Sequence, residues 1–399
     1  MRTLDRHNRV DAYPAAVSTS GWLACRRVLA VRLDSLGDVI MTTPALAALR
    51  HALPHARITL LTSSAATTLA PCLSVVDDVM GFDAAWVQKT QPVGEPPGER
   101  ERALIEQLRT ECFDAAVIFT VCTQSALPAA LMCQLAGIPL RLAHCRENPY
   151  GLLTHWVPDP DVIEPGMRHE TRRQMDLVAS VGFVPPSERL SLRRHEAAEQ
   201  HALAEKLSRA GLDLERPMVV VHPGARASSR RYPPERFGIA ARMVAERTGH
   251  AIVFTGEVCE HEWIEAARAE MGLPSVSLAG ELTLSDMVAL VSQARVLLSN
   301  NSGPVHIAAA VQTPVVVLYA LTNPQHTPWQ VRSVVLNHDV PCRNCLKSVC
   351  PQGHHACLRE VAPEQVCEAV LSLLGPAAVA PLPASLQAGP SMETTEVVE

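Results

Sequence analysis

Short apolar runs that end in small or polar residues and give way to helical patterns recur along this chain, and that alternation decides what it can fold into. Arg27-Val28-Leu29-Ala30-Val31-Arg32-Leu33 leads into Asp34-Ser35-Leu36-Gly37-Asp38 and then into a helical apolar period through Ile40, Leu46 and Leu49. Runs at 58–62 and 115–119 continue the series. A second series occupies 218–221, 251–255, 296–299 and 315–319. Continuous aliphatic, β-branched runs suit strands buried on both faces, and strands alternating with helices pair in parallel, because each connection must return to the same end of the sheet. The expected class is therefore α/β. At 399 residues the chain exceeds one ordinary core, so the two series read as two doubly wound domains facing each other across a cleft.

Composition narrows the function. Apolar residues make up 47% and aromatics only 4%, which favours aliphatic α/β packing. A formal net charge of −6 leaves no overall electrostatic footprint for nucleic acid. No apolar run approaches the roughly 18–20 residues of a membrane span, and the first residues, with Arg2, Asp5, Arg6, Arg9 and Asp11, lack the apolar stretch of a secretory signal. A cytoplasmic protein with reduced thiols is expected. The partition reads as a flexible tail (1–24), a first Rossmann-like domain (25–195), a second (196–340), a cysteine-rich loop (341–360), a C-terminal helix (361–374) and a disordered tail (375–399). Residues 86–101 read as a surface loop and 144–175 as an irregular Pro- and His-rich stretch, suited to a second substrate or to mere connection.

Open parallel sheets bind ligands at the carboxyl ends of their strands, where this chain places its distinctive loops. Leu297-Leu298 breaks at Ser299-Asn300-Asn301-Ser302-Gly303 and resumes as an Ala-rich helix with Pro304 in its first turn. Ser302 can cap, Gly303 admits close approach to the backbone, and Pro304 loses nothing where its N–H would be unpaired. Free amides at a positive helix end suit a phosphate, although an ordinary strand-to-helix turn looks the same. Asp38 likewise reads either as a cleft carboxylate able to take a proton or as a helix-start residue satisfying amides.

Three segments make the reading specific. VRLDSLGDVIMTTPALAALR (31–50), HPGARASSRRYPPERF (222–237) and SNNSGPVHIAAAVQTPVVVLYALTNP (299–324), in this order and spacing, resemble glycosyltransferase family 9, the heptosyltransferase family. The likeness runs from about residue 27 to 374. It implies a GT-B architecture, with acceptor held mainly by the first domain and nucleotide sugar by the second. It further implies an inverting, metal-independent transferase moving a heptose or related sugar from a nucleoside diphosphate, ADP-heptose by default, to a glycan or lipid-linked acceptor such as lipopolysaccharide core. Work at the inner face of the cytoplasmic membrane, with peripheral contact to it, follows from such an acceptor. A catalytically idle nucleotide-sugar binding protein and a nucleotide-sugar epimerase of the same fold are the alternatives.

The resemblance assigns residues one by one. Asp38 matches the family's base. Arg230 and Arg231 stand where a basic residue precedes an aromatic and Pro, Arg230 in place of a common Lys, to meet the diphosphate together with Ser302, Gly303 and His306. Asp286, Asn301, His222 and Gly224 fall in regions that contact nucleoside or sugar; Asn301 replaces a common Asp and removes a charge. No cofactor is required for this chemistry. Cys342, Cys345, Cys350 and Cys357, beside His354 and His355, are spaced as a structural zinc or iron–sulfur site, or as reduced thiols.

Overall fold

The computed structural model describes residues 20–375 apart from 88–95, 97, 165, 194–196 and 214. Two parallel six-stranded sheets form, as the two series of apolar runs require. The first contains β1 (Arg27–Arg32), β2 (Arg57–Thr62), β3 (Asp78–Gly81), β4 (Ala115–Ile118), β5 (Leu140–Cys145) and β6 (His155–Pro158), in the order β3-β2-β1-β4-β5-β6. The second contains β7 (Met218–His222), β8 (Ala251–Phe254), β9 (Val276–Ser277), β10 (Val296–Asn300), β11 (Val315–Leu318) and β12 (Ser333–Leu336), in the order β12-β11-β10-β7-β8-β9. Strand order reverses between β1 and β4 in one sheet and between β7 and β10 in the other. Connections leave such a pair in opposite directions and open a crevice at their carboxyl ends. The three motif loops follow β1, β7 and β10, so all three flank these reversals.

Alternation along each strand divides the interior into layers. Val28 and Ala30 join Leu46, Val220, Leu297 and Ile307 in one apolar cluster shared by both sheets. Leu29 and Val31 face the outer helices of the first half, with Leu104 and Leu108, while Val219 and Val221 face Phe237, Met271 and Val370 on the outside of the second. Helix Leu36–Ala52 of the first half packs in the shared layer against helix Gly303–Val311 of the second. Pro44 sits inside helix Leu36–Ala52 and removes the amide that would serve the Ile40 carbonyl. The Thr43 hydroxyl donates to that carbonyl at 2.7 Å, which lets the helix continue.

Several sequence expectations change. Residues 20–24 are not a loose tail: Ser20–Leu23 is a helical turn with Trp22 fully buried edge-on against His155 and Phe183. The rest of the expected tails, 1–19 and 376–399, and most of the 86–101 loop lie outside the described residues. The stretch 144–175 contributes β6 and the start of helix Glu170–Ala179. Helix Pro363–Leu374 is no separate unit, since Val366 and Val370 pack beneath the second sheet. Among the described residues no helix is long and apolar enough to cross a membrane.

Helices Pro234–Thr248 and His261–Met271 approach closely at Gly238, where a Cβ would collide with the Ala267 carbonyl oxygen and lie 3.0 Å from the Met271 amide nitrogen. Backbone cannot yield as a side-chain tip can. Gly238→Ala is expected to lower urea-unfolding stability by roughly 1–3 kcal/mol, the usual cost of overpacking; unchanged stability would show that the helices separate freely.

Candidate active site

At the end of β1 the chain buries a cation. Arg32 has no exposed surface, and its guanidinium meets Glu170 at 2.8 Å, Asp34 at 3.2 Å and Asp38 at 3.3 Å. Burial opposes its charge, but Asp34, Glu170 and Asp38 together hold it protonated. Glu170, at the start of helix Glu170–Ala179, is steadied by Gln174 Nε2 at 2.6 Å. Asp34 is pushed up to about 7, chiefly by burial, with Arg32 working against the shift.

Asp38 lies in the first turn of helix Leu36–Ala52 and is almost fully buried. Its Oδ2 accepts from the Ser35 amide at 2.9 Å and the Ser35 hydroxyl at 2.6 Å, leaving Oδ1 toward Arg32. Burial alone would raise its pKa. Arg32 and the Ser35 bonds outweigh it and bring the carboxyl down to about 2. Asp38 is therefore both a helix-start carboxylate and an ionised group at the crevice; one role does not exclude the other.

The second half brings its loop directly to this carboxylate. A Cβ on Gly37 would lie 2.9 Å from His306 Cδ2, and one on Gly303 would lie 3.3 Å from Leu36 Cδ2, so the two helix starts meet across the seam. Ser302 occupies the N-cap with extended backbone, but its hydroxyl turns back to the Asn300 carbonyl at 3.3 Å and caps no helix amide. His306 Nδ1 is buried without a partner, as is Arg230 Nε, and burial brings His306 down to about 3. Asn301 is buried and interacts with the Tyr319 phenol.

Arg230 and Arg231 part company. The Arg231 guanidinium lies 3.8 Å from the centre of the Trp263 ring and donates to the carbonyls of Ala225 and Arg226. Two of its donors are thus engaged by the loop, whereas the charge of Arg230 is felt by His306, His326 and Tyr319. Asp286 is also engaged structurally. It caps helix Leu284–Gln293 through Thr283 and pairs with Lys206 at 2.6 Å, which is the helix-start role its sequence position also allows. His222 ends β7 against Thr255 at 3.1 Å, and Gly224 leaves room for the Glu260 carboxylate that a Cβ would overlap.

Four residues of this centre were missed: Arg32, Glu170, His326 and Asn300. Asn300 joins the motif loops, accepting from the Tyr232 amide at 3.0 Å and donating to the Pro223 carbonyl at 2.6 Å. Arg32 did carry a signal, a charge inside an otherwise apolar strand, which implies buried partners without naming them.

In the cysteine loop Cys357 feels the charges of Cys342, Cys345 and Cys350. Cys342 Sγ lies 3.6 Å from His354 Nε2, but among the described residues no three His, Cys, Asp or Glu side chains converge as metal ligands, and all four cysteines are unbonded. The loop also braces the turn Ser228–Arg230 and the end of β11. Ser229 donates from its amide to Ser348 O at 3.1 Å and from its hydroxyl to Lys347 O at 2.6 Å, while the amides of Asn344 and Leu346 donate to Leu321 O and Thr322 O at 2.8 and 3.0 Å. On the first half, a concavity of about 500 Å³ lined by Arg146, Asp159, Asp161 and Val162 opens beyond β5 and β6. Arg173 pairs with Asp159 from the helix that carries Glu170.

The family model for glycosyltransferase family 9 (heptosyltransferase) matches residues 101–356, more than half of the chain. The sequence is 26% identical to lipopolysaccharide heptosyltransferase 2 of Escherichia coli K12 over 364 residues, covering 87% of this chain and 98% of that protein. Among solved structures, E. coli ADP-heptose lipopolysaccharide heptosyltransferase II superposes with a TM-score of 0.67 at 24% identity, covering 87% and 98% of the two chains. A family 9 glycosyl transferase from Veillonella parvula superposes with a TM-score of 0.70 at 21% identity, covering 88% and 97%. Both structural likenesses support the two-sheet GT-B fold.

Buried histidines give the fold a pH signature. Burial brings His144, His169 and His222 to about 4, well below the roughly 6.5 of an unfolded chain. Below pH 6.5 the unfolded state takes protons that these native imidazoles refuse, so their effect is to lower stability as pH falls toward 4. Asp34, raised to about 7, acts in the opposite direction. His144→Asn is expected to flatten the fall in urea-unfolding stability between pH 7 and 5 by about 2 kcal/mol. An unaltered slope would mean that native His144 takes up the proton.

Proposed function

The chain belongs to glycosyltransferase family 9, and from that premise we propose that it transfers a heptose from ADP-heptose to a hydroxyl of a lipopolysaccharide-core acceptor, with inversion and without a catalytic metal. The observation that carries this reading is the juxtaposition at the seam. An ionised carboxylate, Asp38, stands on the first half, facing partnerless nitrogen groups of Arg230 and His306 on the second.

In the proposed step the acceptor oxygen bonds to the sugar's anomeric carbon while the bond to the β-phosphate oxygen breaks. The electron pair leaves with ADP, and the acceptor proton passes to Asp38. A carboxylate held as acidic as Asp38 takes that proton late, once the attacking oxygen has gained positive character. Arg230 and His306, with the amides at the start of helix Gly303–Val311, stabilise the growing diphosphate charge; a single such donor is worth roughly 3–4 kcal/mol. The concavity at Arg146 and Asp161 offers both a cation and carboxylates to a hydroxyl-rich, acidic glycan. The acceptor would be met at the inner membrane face.

Asp38→Asn is expected to reduce acceptor-dependent ADP release from ADP-heptose by about 10²–10⁴-fold while ADP binding changes little. Full activity in that variant would remove Asp38 as the base, and tight donor binding with no transfer to any core acceptor would favour a binding protein. The anomeric configuration of the product tests inversion, and rates in excess EDTA test metal independence.

In this reading the cysteine loop serves as a brace. Elemental analysis of the reduced protein separates a brace alone from a metal site: no stoichiometric metal is expected of the former, and one equivalent of zinc or iron would show the latter.

A further inference from the structure

His326 belongs to none of the assigned residues, yet the structure fixes it at the centre of the seam. It ends the short turn Pro324–His326 after β11. That turn is tied on all sides. Asn323 caps the Gln325 amide at 2.9 Å, and the Tyr319 phenol donates to Asn323 O while accepting from the His326 amide at 3.3 Å. Gln325, fully buried, bridges to the first half, accepting from Cys122 Sγ at 3.0 Å and donating to Arg168 O at 3.1 Å. One residue on, Thr327 O accepts from His169 Nε2 at 2.9 Å. The imidazole thus has little freedom to move away.

His326 Nε2 is buried and has no hydrogen-bond partner. The groups facing it are Arg32, Asp38, His169 and Glu170 from the first half and Arg230 and His306 from the second. Two carboxylates and two guanidiniums nearly balance, so in the empty site burial keeps the ring neutral. A bound diphosphate changes that balance. It brings at least two negative charges beside Arg230 and supplies the acceptor that Nε2 lacks, and both effects favour the imidazolium.

We propose that His326 is a further ligand of the donor diphosphate, neutral in the empty site and protonated when the diphosphate binds. This rests on reading the second half as the donor side. The proton comes from solvent, stays on the ring while ADP is bound, and is released when ADP departs. His326 then links donor affinity to pH in a range where Asp38 does not titrate.

Calorimetric titration with ADP at pH 7, in buffers of different ionisation enthalpy, reads the proton directly. Wild type is expected to take up a substantial fraction of a proton per ADP. His326→Asn and His326→Gln are expected to lose that uptake and bind ADP about tenfold more weakly. ADP binding by wild type without proton uptake, or uptake undiminished in either His326 variant, overturns the proposal and leaves the donor reading standing. Folded wild-type protein that binds no ADP overturns the donor reading, and this inference with it. The wild-type measurement decides even where a variant fails to fold.

Discussion

A guanidinium buried at the end of β1 organises this molecule. Arg32 draws in Asp34 and Asp38 from the loop that follows it and Glu170 from far along the chain. Removing such a cation would leave carboxylates in a dry interior without compensation, a change that typically costs 3–5 kcal/mol when one partner of a buried pair is lost. The same contacts aim the chemistry. Asp38 keeps its ionised form because Arg32 stands beside it, and Glu170 fixes the helix whose Arg173 reaches the concavity beyond β6. One cation therefore relates Asp38 to the concavity beyond β6.

On the proposed reading the second half solves a different problem, that of gathering donors, the Arg230 guanidinium among them, around a diphosphate. Its loops are stitched by Asn300, which satisfies an amide of one motif and a carbonyl of another. Arg231 is held on Trp263, leaving Arg230 at the seam. Helix Gly303–Val311 begins against Leu36, so the contact between the two halves lies at the candidate site itself.

Much of this was legible in the sequence, and the division follows physical range. The runs around Val28, Val220 and Leu297 announced parallel strands because burial on both faces leaves a local compositional trace. The loops at Asp38 and Ser302–His306 were readable for a similar reason: a strand-to-helix turn spends its small and polar residues within a few positions. Asp286 was ambiguous in sequence because a helix-capping carboxylate and a ligand carboxylate have the same local pattern, and its pairing with Lys206, from a distant helix, left no local mark. Glu170 and His326 carried no local mark at all. Their meaning comes from partners across the fold, and spacing along the chain does not encode those.

The brace beneath Arg230 fixes an order of assembly. The turn Ser228–Arg230 hangs from the carbonyls of Lys347 and Ser348, and the Tyr232 hydroxyl that follows it donates to Val361 O at 2.9 Å. During synthesis from the N-terminus the first half and its Arg32 cluster can settle while the ribosome is still far upstream of these supports. The turn that carries Arg230 stays unbraced until more than a hundred further residues have emerged, so a nascent chain can form the Arg32 cluster before it can fix Arg230.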